Sequence, residues 1–144
     1  MAQLQKSVVT LRIYSDDLVP QQITELLGVS PTHAKSKGEK TVGSKTGKEY
    51  IAKSGIWRLC ASDREPGDLD GQIREILSQV TADRSVWQSI TTKYRVNLFC
   101  GLFMNETNDG LAISPQSLAA LGERGIELWF DIYAPLDDEH ETST

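Results

Sequence analysis

Residues 95–104 read RVNLFCGLFM, a strongly apolar stretch that predicts a strand in the interior of a sheet. Two further stretches alternate apolar and polar residues, VVTLRIY at 8–14 and IELWFDIY at 126–133. Alternation with a period of two predicts strands that are buried on one face. In the last stretch we expect Ile126, Leu128, Phe130 and Ile132 to join the aliphatic core. The opposite face of that strand then carries Glu127, Trp129, Asp131 and Tyr133.

Helices are predicted where apolar residues recur every three or four positions. One begins at Pro20 and ends at Gly28, a second helical stretch covers 69–93 with a kink or break at 81–83, and a third follows the cap residue Ser114. Further strands are expected at 55–61 and 111–113. The resulting order β–α–β–α–β–β–α–β predicts an α+β domain with helices on one face of a mainly antiparallel sheet. The expected topology is ferredoxin-like or an elaboration of it.

Length and composition indicate one globular domain. The chain has 144 residues, of which 39% are hydrophobic and 24% charged, and these fractions suit a single packed core. We expect the domain to span 1–135 and the acidic residues 136–144 to form a disordered tail. No apolar run reaches the roughly 18–20 residues of a membrane span, and MAQLQKSVVT lacks the apolar segment of a signal peptide. A soluble, cytoplasmic protein is therefore predicted.

Charge is distributed unevenly along the chain. The formal net charge of −5 argues against a general nucleic-acid binder. Residues 31–54, called the Lys-rich loop below, are the exception, because they contain six lysines, Lys37 and Lys40 among them, and two glutamates. Two interpretations of this loop remain open. It is either a solvated, mobile segment or a patch that steers or clamps an anionic ligand.

Sequence motifs of known chemistry are scarce. His33, His140, Cys60 and Cys100 are far apart in sequence, so the usual zinc-ligand spacings are missing, and we predict no metal and no cofactor. Both cysteines lie in apolar strands and are expected to be buried. The string GSKTGK at 43–48 lacks the first glycine, the preceding strand and the following helix of a phosphate-binding loop.

The polar face of the predicted sheet is the leading candidate for a working surface, because it combines aromatic side chains with Arg, Asn and Asp. Three interpretations compete: the Lys-rich loop or another segment covers this face, the face binds a second copy or another protein, or it holds a small anionic ligand or single-stranded RNA. We predict a non-enzymatic protein-interaction or binding module. An enzyme that uses Asp131 with Arg12 or Arg58 is the least supported alternative.

The candidate binding residues are Arg12, Tyr14, Trp57, Arg58, Asn97, Phe99, Trp129, Asp131, Tyr133, Lys37 and Lys40. Phe103 shares the same predicted face. In the strand at 55–61, either Trp57 or Arg58 faces outward, because apolar residues occupy both odd-numbered and even-numbered positions.

Four segments carry a resemblance to a known family: DDL at 16–18 before a helix, GIW at 55–57, FCG at 99–101 and FDIY at 130–133. They are similar to the bacterial domain-of-unknown-function family 4279, and the likeness extends from residue 8 to residue 133. The resemblance implies one compact domain from a bacterial, cytosolic protein. It supplies no activity and no catalytic residue.

Overall fold

The computed structural model describes residues 3–136, and this part of the chain contains seven strands and four helices. The strands are β1 (Lys6–Ser15), β2 (His33–Lys35), β3 (Lys40–Val42), β4 (Glu49–Ile51), β5 (Gly55–Cys60), β6 (Arg95–Phe103) and β7 (Glu127–Tyr133). The helices are α1 (Pro20–Leu27), α2 (Leu69–Gln79), α3 (Arg84–Lys93) and α4 (Pro115–Arg124). None of these four helices has the length and apolar character needed to cross a membrane.

Five strands form one mixed sheet in the order β2-β5-β1-β6-β7, and β3 pairs with β4 in a separate hairpin. Neighbouring strands of the large sheet are antiparallel except β6 and β7, which are parallel and are connected by α4. This architecture confirms the predicted α+β class. The ferredoxin-like arrangement is not confirmed, because a split βαβ unit has another strand between its two parallel strands, whereas β6 and β7 are adjacent.

One face of the sheet packs against the helices. Val9, Leu11 and Ile13 alternate along β1 and are fully buried on this face, as are Trp57 on β5 and Leu98 on β6. The buried apolar residues of all four helices belong to the same cluster as these strand residues. Because alternate residues of a strand point to opposite faces, the other face of the sheet has no helix of residues 3–136 packed on it.

The helices begin and end at residues that the sequence marks for this purpose. Pro20 opens α1, and Gly28 ends it with a φ of 78°, a left-handed conformation that glycine adopts without steric cost. The side chains of Asp68, Asp83 and Ser114 accept hydrogen bonds from backbone N–H groups in the first turns of α2, α3 and α4. These caps confirm the predicted break in the helical stretch at 69–93.

A buried polar network fixes α2 against β1. Gln72 is fully buried, and its amide group donates to the backbone carbonyl oxygens of Ser7 (2.8 Å) and Ser62 (2.9 Å). The Ser7 hydroxyl donates to the Gln72 amide oxygen and accepts from the backbone N–H of Asp68. Because each of these buried groups has a partner, the network holds α2 in one orientation without the cost of unpaired polar atoms.

The structure corrects two expectations about strands and leaves the expectation of a disordered tail untested. Residues 111–113 form no strand and pair with none of the strands within residues 3–136. The Lys-rich loop is not irregular throughout: it contains β2, which extends the sheet beside β5, and the β3–β4 hairpin. The predicted disordered tail, apart from Leu136, lies outside the described residues.

The expected core residues of β7 also differ from the structure. Phe130 and Ile132 share the helix-facing side of the sheet with Leu128, yet they are 45% and 60% exposed. The reason is the position of β7 at the edge of the sheet, where the helices leave these two side chains largely uncovered.

Candidate binding surface on the open face of the sheet

The face of the sheet opposite the helices, called the open face below, presents side chains from all five strands. Directly paired residues of neighbouring strands share a face, so the register places them in rows. The central row runs from β2 to β7 through His33, Arg58, Arg12, Asn97 and Glu127. The rows beside it contain Cys60, Thr10, Phe99 and Trp129 on one side, and Lys35, Ile56, Tyr14 and Arg95 on the other.

Arg12 is the centre of an aromatic cluster on the open face. Its guanidinium carbon lies 4.5 Å from the ring centroid of Phe99, 5.8 Å from that of Trp129 and 5.9 Å from that of Tyr14. Arg12 Nε donates to Oδ1 of Asn97 at 2.8 Å, and Asn97 Nδ2 donates to the Tyr14 hydroxyl at 3.2 Å. The cation–π contacts and the hydrogen bond together hold the guanidinium in one position. Asn97 is buried beneath this cluster, although it lies on the open face.

The cluster is accessible from outside. Trp129 is 46% exposed and Tyr133 is 44% exposed, so the Lys-rich loop does not cover the β7 side of the open face. A cavity of about 240 Å³ lies against the cluster and is lined by Tyr14, Arg95, Val96, Asn97, Glu127 and Trp129. The surface therefore offers both a groove and half-exposed aromatic rings.

A second aromatic pair lies at the end of β6 and β7. Phe103 and Tyr133 stack with ring centroids 4.6 Å apart and an interplanar angle of 13°, and the Lys6 ammonium lies 5.8 Å from the Phe103 ring centroid. The Tyr133 hydroxyl donates to Asp131 Oδ2 at 2.6 Å. This hydrogen bond to a carboxylate raises the pKa of Tyr133 above its ordinary value, because the phenol proton is held by Asp131.

Charge is divided between the two sides of the open face. Arg58, Lys35 and Arg12 lie on β5, β2 and β1, whereas the carboxylates of Glu127 and Asp131 lie on β7. Arg95 adds further positive charge at one end of the face, whereas Lys6 at the other end is paired with Asp63 at 3.5 Å and with Glu65 at 3.9 Å. Although the whole chain carries a net charge of −5, the open face is therefore predominantly basic, with an acidic edge.

Within residues 3–136, the open face holds neither a cluster of metal ligands nor an ion pair of Asp131 with an arginine. Asp131 is engaged by the Tyr133 hydroxyl, and in this part of the chain it makes no ion pair with Arg12 or Arg58. No group of three or more His, Cys, Asp or Glu side chains suited to a metal ion occurs in the same range. The chemistry that the surface offers is stacking, hydrogen bonding and charge complementarity.

A family model described as "Domain of unknown function (DUF4279)" matches residues 4–135. The chain belongs to this family. The match confirms the resemblance seen in the sequence and covers nearly the whole chain, and its description assigns no activity. No curated protein and no solved structure matches the chain. The bacterial source and the cytoplasmic location stay predictions.

The predicted binding residues of this family member fall into three groups. Those on the open face are Arg12, Tyr14, Arg58, Asn97, Phe99, Trp129, Asp131 and Tyr133. The prediction for Trp57 is wrong, because its side chain is fully buried on the helix-facing side and its indole N–H donates to Thr24 Oγ1 at 3.1 Å. Since α1 covers that side of β5, Arg58 faces outward.

Lys37 and Lys40 form the third group, away from the Arg12 cluster. Lys37 makes an exposed ion pair with Asp16 at 3.5 Å, and Lys40 is exposed at the start of β3. Within residues 3–136, no hydrogen bond or cation–π contact joins either lysine to the open-face aromatics. The Lys-rich loop approaches the open face instead through Lys35, whose ammonium donates to Thr41 Oγ1 at 2.8 Å and links β2 to the hairpin.

The two cysteines have different environments. Cys100 is buried on the helix-facing side, and burial raises the pKa of its thiol to about 12. Cys60 was expected to be buried but is exposed, because it shares the outward parity of Arg58 rather than the inward parity of Leu59. Its sulfur lies 3.5 Å from the Thr10 hydroxyl oxygen.

Sequence reasoning missed several charged residues of the open face. Arg95 shares the open face with Asn97, so extending the alternation by one step along β6 would have found it. Glu127 was assigned to the correct face but was not counted among the candidate binding residues. Lys35 had no comparable signal, because β2 has only three residues.

Proposed function

We propose that the chain is a non-enzymatic binding module that recognises another protein through the open face. The Arg12 cluster carries this proposal, because Arg, Trp and Tyr are the side chains that most often supply binding energy at protein interfaces. The guanidinium of Arg12 is already ordered by Asn97 and Phe99. Binding at Arg12 therefore costs less side-chain conformational entropy than binding at a freely moving arginine would.

The charge pattern indicates what kind of partner surface fits. Acidic side chains would lie opposite Arg58 and Lys35, and apolar or aromatic ones would pack on the half-exposed Trp129. The exposed lysines of the β3–β4 hairpin would steer such an acidic surface towards the open face. A cytoplasmic location is part of this proposal, because the exposed thiol of Cys60 is free and the cytosol keeps such thiols reduced.

Site-specific photo-crosslinking in the source cells tests the proposal. A photoreactive phenylalanine analogue replaces Trp129 on the open face, and in a matched control it replaces Leu26, which is 41% exposed on α1. We expect a discrete protein adduct from position 129 and none from position 26. An equal pattern at both positions, or no adduct at position 129, would contradict the proposal.

A second candidate function is the binding of a small anionic ligand or single-stranded RNA on the same face. It is favoured by one observation, the excess of basic side chains beside Tyr14 and Trp129. The test is titration of a short fluorescent single-stranded RNA and of inorganic pyrophosphate at low and moderate salt. This candidate predicts affinity that falls steeply with salt and is weakened in Arg58→Glu. Absence of binding at low salt would remove it.

A further inference from the structure

Strand β7 forms an edge of the sheet, and its outer side is open. Its only strand neighbour within residues 3–136 is β6, and no hydrogen bond in that range reaches the outer edge of β7. The strand also exposes large side chains on both faces: Trp129 and Tyr133 on the open face, and Phe130 and Ile132 on the helix-facing side. An edge of this kind is a template for pairing with another strand.

The usual features that protect an edge strand are missing from β7. Its seven residues, ELWFDIY, contain no proline, no lysine and no glycine, and its register with β6 runs without a bulge. The two carboxylates are engaged within the strand itself, because Glu127 accepts from the Trp129 indole N–H and Asp131 accepts from the Tyr133 hydroxyl. These contacts draw the negative charges towards their own strand.

We propose that β7 pairs with β7 of a second copy of this chain, antiparallel and centred on Phe130, so that two five-stranded sheets become one. This inference is independent of the proposed function. A two-fold axis at this position is the closed, self-complementary arrangement most often found in homodimers. Backbone hydrogen bonds between the two edges would supply the pairing, as in other cases of strand addition.

The charges of β7 select this register. When the pairing is centred on Phe130, all seven residues of β7 pair with the second copy. Glu127 then lies opposite Tyr133 of the second copy, and Asp131 lies opposite Trp129. A shift of the centre to Trp129 places Glu127 directly opposite Asp131, and a shift to Asp131 places the two aspartates opposite each other. Like charges directly across a strand pair are destabilising. On the helix-facing side the chosen register places Phe130 against Phe130.

The exposed area of β7 suits a weak dimer. Aromatic side chains bury about 150–250 Å² each, and the four large exposed side chains of β7 are 44–60% exposed. They therefore offer about 400 Å² per copy, or about 800 Å² in all, before backbone and neighbouring residues are added. This side-chain area is below the roughly 1,000 Å² of a specific interface. The paired backbone edges and the neighbouring residues must supply the remainder, so we expect a weak dimer with a dissociation constant of about 1–100 µM.

The opposite edge of the sheet is a poorer template. Strand β2 has only three residues and carries Lys35, two features that protect edges against pairing. Pairing of β7 with β2 of the next copy would also leave free edges and produce an open polymer. The structure therefore favours a closed dimer over a filament.

Sedimentation velocity from about 1 to about 200 µM tests the proposal. Ile132→Lys places a charge in the proposed interface, and Val42→Lys makes the same change at a β-strand position that is 66% exposed on the hairpin. We expect the wild-type chain and Val42→Lys to dimerise alike and Ile132→Lys to raise the dissociation constant at least about tenfold. A cooperative thermal unfolding transition in each variant confirms that both fold.

A monomer at every concentration, a dimer that Ile132→Lys leaves intact, or an open polymer would each overturn the proposal. Disulfide trapping in a Cys60→Ser background tests the register. Phe130→Cys is expected to form a disulfide-linked dimer, because the Cα atoms of residue 130 in the two copies would lie opposite each other within disulfide range. Ile132→Cys is the matched control, since its partner would be Leu128. Equal trapping by both variants would overturn the register.

The dimer and the partner complex can be told apart. Ile132 lies on the helix-facing side, away from the Arg12 cluster. A crosslinked adduct at twice the chain mass is a second copy, whereas any other mass is a different partner. Loss of the dimer in Ile132→Lys with retention of a partner adduct would separate the two surfaces.

Discussion

Replacing Trp57 with alanine gives the sharpest test of which face of the sheet is the core. The side chain is fully buried between β5 and α1, and its indole N–H donates to Thr24. Large-to-small changes of buried Phe or Trp cost about 3–5 kcal/mol, and here the Thr24 hydroxyl also loses its partner. We expect Trp57→Ala to lower the free energy of unfolding by about 4 kcal/mol, a large share of the roughly 5–15 kcal/mol of a typical domain.

Trp129→Ala is the matched control for this measurement. Trp129 is 46% exposed, so its removal loses only the packing of the buried part of the side chain and one cation–π contact with Arg12. We expect a cost of about 1 kcal/mol. Urea unfolding followed by far-ultraviolet circular dichroism measures both variants without relying on tryptophan fluorescence. Equal destabilisation by the two substitutions, or a cost below about 1 kcal/mol for Trp57→Ala, would refute the assignment of the two faces.

Two further predictions concern titration and thiol chemistry. The Arg64 guanidinium and the backbone N–H of Ser62 donate to Glu75, at 2.8 and 2.7 Å, and lower its pKa. Glu75→Gln should therefore cost about 1–2 kcal/mol at neutral pH. Because the folded-state pKa is the lower one, this contribution is complete above pH 4.5 and is lost as the pH falls through the folded-state pKa. The unfolding curves of the wild-type chain and of Glu75→Gln should thus converge in acid. A difference in stability that persists in acid would contradict the contact of Glu75 with Arg64 and Ser62. A thiol reagent should label Cys60 rapidly in the folded chain and Cys100 only after unfolding. Rapid labelling of both cysteines in the native protein would show that Cys100 does not lie on the buried face of β6.

Alternation within single strands made much of the fold and the open face predictable. Thr10, Arg12 and Tyr14 could be assigned to one side of β1 because Val9, Leu11 and Ile13 are aliphatic. The same logic grouped Trp129 with Tyr133 on β7. Helix boundaries were predictable where a specific residue satisfies the end of a helix, as Ser114 does for α4.

The remaining errors depend on contacts between distant segments. In β5 both parities contain apolar residues, so only the packing of α1 determines that Trp57 is buried. The exposure of Phe130 and Ile132 follows from the order of strands in the sheet, which no single strand encodes. Strand β2 exists because β5 offers it an edge, and three residues are too short to produce a recognisable pattern.

Whether the Arg12 cluster binds a partner is measured by the crosslink yield from position 129 in two arginine variants. Arg12→Ala removes the guanidinium that lies 4.5 Å from the Phe99 ring centroid, whereas Arg74→Ala removes an exposed arginine of α2. Loss of a residue that dominates binding corresponds to about 2 kcal/mol or more, or a roughly 30-fold loss of affinity. We predict that the partner adduct disappears in Arg12→Ala and persists in Arg74→Ala, with both variants folded. An adduct that survives Arg12→Ala at full yield would show that Arg12 does not bind the partner.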